Sequence, residues 1–317
     1  MRKAMIIATV LVVVGLILFA GAMTANGWDF TKLSTVSPVT NSYEVSGFDK
    51  ISIDIDTAEL VFVPTDEAVC RVVCYEQEKV QHTVTVQDGT LCISRVDTRK
   101  WYEHIGIFFD EFRVTVSLPK TVYAALKIDT HTGNVTIPQG LTFGVLEVKG
   151  STADVSCLAA VSERLSIVTS TGDILVDGLT VDEVALSTTT GNVRMQSTEV
   201  KGRVDVEVNT GDVRLTKVAC ETLEVDSDTG KQWLKDVVVS GALSLESDTG
   251  DVRLTGCDGA QITIETDTGD VTGTLLTDKV FITETSTGRI QVPKTTTGGR
   301  CEITTSTGDI SITIQPA

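Results

Sequence analysis

A Thr-Gly pair returns through this chain every 19 or 20 residues, and that period restricts the fold more than any other feature. Gly stands at 133, 172, 191, 211, 230, 250, 269, 288 and 308. Ala153 fills the one gap, so the successive spacings are 20, 19, 19, 20, 19, 20, 19, 19 and 20. Thr precedes the small residue every time, as in Thr171-Gly172, Thr210-Gly211 and Thr249-Gly250. Apolar and polar residues alternate on both sides of the pair, which is the mark of strands. Five residues before it stand Ile128, Val148, Ile167, Leu186, Val206, Val225, Leu245, Ile264, Thr283 and Ile303. Two after it stand Val135, Val155, Ile174, Val193, Val213, Gln232, Val252, Val271, Ile290 and Ile310. Similar columns lie seven before and four after.

A unit this short cannot bury its own apolar face, but stacked units can. The expected fold is all-β: a single-stranded parallel β-solenoid of about ten 19–20-residue coils, with an N-terminal β cap and one preceding transmembrane helix. At ~4.8 Å per rung, ten coils make a rod ~45 Å long. Gly serves the corner where a side chain would obstruct the turn. The Thr before it is expected to turn its methyl inward. Residues 126–317 form the repeat array. The same register occurs once earlier, with Ala58 in the Gly place, so residues 43–125 read as the N-terminal cap and first coils. Residues 24–42, rich in Ser, Thr and Asn, read as a linker. The last strand, Ile312 to Pro316, reads as a bare edge blunted by Pro316, through which the rod could self-associate.

Arg2 and Lys3 precede an uncharged, mostly apolar run from Ala4 to Met23. In a helix, about 20 residues span ~30 Å, one bilayer core. Residues 1–23 therefore read as a membrane anchor, and charges ahead of the run place the bulk of the chain outside the cytoplasm. Cleavage near Ala20-Gly21-Ala22, giving a secreted protein, is the alternative.

The opening Phe48-Asp49-Lys50-Ile51-Ser52-Ile53-Asp54, the mid-chain Val114-Thr115-Val116-Ser117-Leu118-Pro119 and the Thr-Gly-Asp-Val/Ile units have a further implication. With them the chain resembles the bacterial putative-adhesin family of β-strand-repeat domains of unknown function, which includes Lia-type envelope-stress operon proteins. The resemblance covers roughly 43–312. It implies an N-terminal anchor, an extracellular β-solenoid and a link to adhesion or envelope stress. It implies no catalytic residues.

Lys and Arg total 26 against 43 Asp and Glu, a formal charge of −17. Phosphate backbones would be repelled, so nucleic acid is not an expected partner. The seven cysteines contain no Cys-x-x-Cys pair and have no zinc-type spacing, and the three histidines are isolated. No cofactor is expected, and no catalytic group. The residue after each turn Gly is polar, and Asp212, Asp251, Asp270 and Asp309 suggest a calcium column. Neighbouring charges ~4.8 Å apart in water repel by only ~0.9 kcal/mol, so turn aspartates need no metal. Lys231 and Arg289 interrupt the column, and Arg194, Arg214 and Arg253 lie where they could pair with Asp212 and Asp251. An outward acidic stripe, Glu207, Asp226, Glu246, Glu265 and Glu284, is a surface for cationic peptides or a basic surface protein. Trp101, Tyr102, Phe108 and Phe109 form an aromatic cluster that reads as a plug for the rod's end, or else as a contact loop. Trp233 is a further contact candidate. The functional expectation is a non-catalytic surface scaffold, adhesin or envelope-stress accessory protein. The alternative is a polysaccharide-active β-helix enzyme, which needs a set of carboxylates standing apart from the repeat.

Overall fold

The computed structural model describes residues 2–25, 27–28, 38–100 and 112–315. Helix Arg2–Ala25 comes first, and its segment Met5–Ala25 is long and apolar enough to cross a membrane. Ordered β structure begins with strand Pro38–Val45, inside the segment expected to be linker.

From residue 122 onward the chain winds into parallel rungs. Around Gly211, strand Arg203–Thr210 precedes the corner and strand Val213–Cys220 follows it. Each pairs in parallel with its counterparts in the rungs on either side: Val204 lies between Val184 and Leu223, and Leu215 between Met195 and Leu234. The expected apolar columns face a common interior, with Leu126, Leu146, Leu165, Val184, Val204, Leu223 and Leu243 all at most 2% exposed. Six of the seven cysteines are buried, including Cys157 and Cys301 in the expected columns, and all seven are free thiols.

At the Thr-Gly corner, backbone groups bond from rung to rung. Gly191 N donates to Thr210 O at 2.9 Å, and Gly211 N donates to Thr229 O at 2.9 Å. The threonines themselves point outward, so the expected inward methyl is a misplacement: Thr171, Thr210 and Thr249 are exposed. The inward hydroxyls sit two residues earlier, where Thr188 donates to Gly172 O at 3.1 Å and Thr169 to Ala153 O at 3.3 Å. Period-two alternation from Ile167 and Thr169 would carry Thr171 inward as well, but the corner breaks the alternation and turns it out. A second corner follows six residues after the Gly, at Gly178, Ser197, Lys217, Asp236 and Gly256, each with φ between 51° and 73°.

Both ends of the stack depart from chain order. At the N-terminal end, strand Lys50–Ile55 pairs in parallel with strand Val122–Thr132 on one side and with strand Thr90–Asp97 on the other. The rung built from Thr90–Asp97 and Arg113–Pro119 is therefore outermost, and the earlier Ala58 rung lies inside it. Antiparallel strands then close the outer edges: Val80–Gln87 on Thr90–Asp97, and Cys70–Gln77 on Arg113–Pro119.

At the other end, residues 261–268 of strand Val252–Thr268 would be expected to pair with the next unit in sequence. They pair instead with the last one, Ile264 opposite Ile303, and Ile303 in turn stands opposite Thr283. The order in space is Gly269, Gly308, Gly288. Three other features agree. A Cβ on Gly308 would meet Gly269 O at 2.0 Å, and one on Gly288 would meet Gly308 O at 1.9 Å. Thr305 donates to Gly269 O and Thr285 to Gly308 O. The backbone returns through Gly298-Gly299, where a Cβ would lie 1.7 Å from Asp278 O and 2.0 Å from Ala260 O. Strand Ile310–Ile314 thus lies between Val271–Leu275 and Ile290–Gln291, so the bare edge expected at Ile312 to Pro316 is an interior position; Pro316 itself lies outside the described residues.

Candidate functional site: the polar faces of the rod

Alternation gives every coil an outer row, and parallel register stacks these rows into ladders. The residue after the turn Gly forms the first. Its side-chain oxygen accepts a hydrogen bond from the backbone N–H of the equivalent residue one rung further on. Asp154 Oδ1 accepts from Asp173 N at 2.8 Å, Asp173 Oδ1 from Asn192 N at 2.7 Å and Asn192 Oδ1 from Asp212 N at 3.0 Å. The ladder continues from Asp212 to Lys231 N, Asp251 to Asp270 N, Asp270 to Asp309 N and Asp309 to Arg289 N. This accounts for Asp and Asn at the corner, since both offer an acceptor at the right reach.

The aspartates expected as a calcium column, Asp212, Asp251, Asp270 and Asp309, therefore each have one oxygen committed to the neighbouring rung. Two are also paired with cations: Lys231 Nζ reaches Asp251 Oδ2 at 2.9 Å, and Arg289 reaches Asp309 Oδ2 at 2.9 Å. The Lys231 hydrogen bond lowers the Asp251 pKa, and the Arg289 backbone N–H followed by its guanidinium lowers that of Asp309. Arg194, Arg214 and Arg253 do not take the partners expected of them. Among the described residues no ion pair joins them to Asp212 or Asp251. Arg214 instead stacks on Trp233, with Cζ 4.6 Å from the ring centroid, a contact of about 0.5–1 kcal/mol at a surface. Trp233 is half-buried and shares its row with Arg214 and Arg253. Trp101, Tyr102, Phe108 and Phe109 lie outside the described residues.

The second ladder is acidic. Glu207 faces Asp226, Asp226 faces Glu246 and Glu246 faces Glu265 on successive rungs. The next rung in space carries Thr304, and only beyond it does Glu284 stand, so Glu284 is set apart from the stripe expected to include it. Flanking rows add Asp205 and Glu224 on one side and Asp228, Asp248 and Asp267 on the other. Among the described residues, ion pairs within this face come from Arg203, to Glu224 at 2.7 Å and Asp205 at 3.2 Å. Crowding has an electrostatic consequence. Burial, then the charges of Asp228, Glu207, Asp248 and Glu224, raise the pKa of Asp226. Glu246 is raised chiefly by Asp226, with burial and Glu265 adding to it.

One cluster escapes sequence reasoning altogether. Cys74 and Glu76, on strand Cys70–Gln77, meet His82 of strand Val80–Gln87, and all three are buried. Their ligating atoms lie within 4.8 Å of one another, a set capable of holding a metal ion. Both carboxylate oxygens are already engaged: Glu76 Oε2 accepts from His82 N at 2.7 Å and faces His82 Nδ1 at 2.6 Å, while Oε1 accepts from Asn41 Nδ2 at 2.7 Å. Burial pushes the Cys74 thiol up to about 12, which holds it protonated. The arrangement fits a polar lock between the cap strands better than a metal centre. Spacing gives no sign of it, because the contact is made by folding a hairpin.

An open groove of about 400 Å³ follows the second corner, lined by Ser197, Glu199, Lys217 and Asp236 among others. It brings no histidine or cysteine beside a carboxylate.

Comparison with known proteins gives a family and a fold. The family model described as Toastrack DUF4097 matches residues 48–216 and 198–317. The crystal structure of a putative adhesin from Parabacteroides distasonis ATCC 8503 superposes with a TM-score of 0.51 at 15% identity, over 77% of this chain and 98% of that one. A putative adhesin from Bacteroides fragilis NCTC 9343 gives 0.46 at 17% identity, over 75% and 96%. A search of curated proteins finds no match.

Proposed function

This chain belongs to the Toastrack DUF4097 family, and we propose that it is a non-catalytic scaffold, membrane-held and facing outward, whose acidic sheet face docks cationic partners. The observation that carries the reading is the acidic ladder. Glu207, Asp226, Glu246 and Glu265 occupy four successive rungs of one flat face, flanked by further carboxylates and countered by Arg203 alone among described ion pairs. Charges fixed at rung spacing form a field that a basic peptide or basic protein surface relieves on binding. Neighbouring carboxylates add to burial in raising Asp226 and are the chief cause at Glu246, and a cationic partner would offset that repulsion.

Two further features support the location. The apolar helix follows Arg2 and Lys3, in keeping with a cytoplasmic N-terminus and an exported rod. The Parabacteroides distasonis structure on which it superposes carries the name putative adhesin, which agrees with a surface protein. The polysaccharide-active reading has no observation in its favour among the described residues, where the acidic rows repeat in register.

Binding of detergent-solubilised full chain to a poly-lysine peptide tests the proposal. Affinity should fall steeply with added salt, and should fall again when Glu207, Asp226, Glu246 and Glu265 are replaced together by Gln or Asn. Affinity insensitive to both changes would reject it.

A further inference from the structure

The two ends of the rod are finished differently. At the N-terminal end, antiparallel strands Val80–Gln87 and Cys70–Gln77 cover the outer edges of the last parallel rung. At the far end, strand Lys279–Thr287 pairs only with Gly299–Thr307, and strand Ile290–Gln291 only with Ile310–Ile314, among the described residues. Their outer edges carry backbone donors and acceptors with no strand beyond them among the described residues.

Side chains show the same incompleteness. Position two after the turn Gly is buried in the rungs of Val193, Val213, Val252, Val271 and Ile310, yet Ile290 is 45% exposed. Phe281 and Thr283 are only half-buried, whereas their counterparts Cys301 and Ile303 are fully buried. Val280 and Ile282 are exposed as well. Strand Lys279–Thr287 lacks the usual protections of a free edge: it has no proline and only Lys279 and Glu284 as charges, whereas the other edge of this rung is the two-residue strand Ile290–Gln291, followed by Pro293 and Lys294. Lys279 is no guard, because it is buried against Asp258 at 2.6 Å.

We propose that this edge pairs with the same edge of a second copy of the chain, giving a tail-to-tail dimer with two-fold symmetry. Two observations select this occupant. The outermost parallel rung at the opposite end is already covered by antiparallel strands, so a head-to-tail stack meets no free parallel rung there among the described residues. The covered end shows how this chain closes a parallel stack, with antiparallel strands, and a two-fold axis supplies one from an identical edge.

Full overlap of Lys279–Thr287 with its copy puts Thr283 on the axis. Glu284 then faces Ile282 of the second copy, and Phe281 faces its Thr285, so no like charges meet. Self-pairing closes after two copies, which prevents the open-ended growth that a head-to-tail contact would allow.

The test uses the full chain in detergent, with mass measured by sedimentation. Wild type should be a dimer. Val280→Glu with Ile282→Glu sets a carboxylate at 282 against Glu284 of the second copy, twice by symmetry, and should convert it to a monomer with unchanged strand content by circular dichroism. Thr283→Cys should give a disulfide-linked dimer under mild oxidation, and it keeps the test decisive should the glutamate variant fail to fold. A wild-type monomer at all accessible concentrations would overturn the proposal. So would a dimer that survives the glutamates, which would place the contact in the helix, and so would a Thr283→Cys variant that forms no cross-link.

Discussion

Replacing Gly211 with Ala tests the corner at which the rungs touch. An ideal Cβ there lies 1.9 Å from Gly191 O and 2.6 Å from Gly191 C, whereas real Cβ atoms essentially never approach closer than 3.0 Å. The obstacle is backbone, so the rungs themselves must separate by more than an ångström. Three hydrogen bonds hold them at this corner: Gly191 N to Thr210 O at 2.9 Å, Val193 N to Asp212 O at 3.0 Å and Asp212 N to Asn192 Oδ1 at 3.0 Å. Lengthening two of them beyond bonding range forfeits ~1 kcal/mol each. Gly211 also has φ +149°, a conformation that costs a non-Gly residue ~1–3 kcal/mol. The total is about 4 kcal/mol. At roughly 2 °C per kcal/mol for a chain of this size, the melting midpoint should fall by about 8 °C. Thermal circular dichroism reads it directly. The chain supplies its own control: Ala153 occupies the same corner without a positive φ, and Ala153→Gly should change stability by no more than ~1 kcal/mol. If Gly211→Ala melts within about 1 °C of wild type, the rungs do not meet as described and the steric reasoning fails.

The swapped order of the last rungs is open to cross-linking. Thr268 and Thr307 are register partners on adjacent rungs and exposed, so cysteines there should form a disulfide, whereas cysteines at 268 and 287, two rungs apart at ~9.6 Å, should not. For the acidic face the sign follows from raised folded-state values. Asp226 and Glu246 hold protons more tightly when folded, so the stability they contribute is greatest at acid pH and is lost as pH rises through the carboxylate range. Asp226→Asn should therefore raise the melting midpoint at pH 7, by less than ~1 kcal/mol in this solvent-exposed setting, and have no effect at pH 3. A stabilisation that persists at pH 3 would point to a cause other than charge. In the cap, His82→Leu leaves the buried Glu76 carboxylate without its ring partner, and chemical denaturation should show a loss of ~3 kcal/mol. A loss below ~1 kcal/mol would mean that Asn41 and backbone N–H suffice.

How much of this was legible depended on whether the signal was local. The columns at Leu165, Ile167, Ile174 and Val176 could be read as interior because alternation and period are written in the chain itself. The turning residue of the second corner is weakly marked, since only Gly178 and Gly256 advertise it, while Ser197, Lys217 and Asp236 adopt the same positive φ without a glycine's signature. The Thr before each Gly is legible as a corner residue but its outward direction is not, because the part in use is its backbone carbonyl. The Cys74–Glu76–His82 contact spans a hairpin and has no linear spacing to announce it.

The sequence alone determined the winding: nineteen or twenty residues per turn, an aliphatic interior, polar ladders outside and an apolar helix ahead of them. It could not determine which rung lies against which, because repeats of one length and one pattern are interchangeable as neighbours. That choice fell to tertiary contacts. Cys301 and Ile303 of the last unit complete a buried column that Thr283 cannot, and Gly298-Gly299 let the chain recross Asp278 and Ala260 at backbone contact. The more apolar rung was placed inside and the weaker one left at the end, as burial favours.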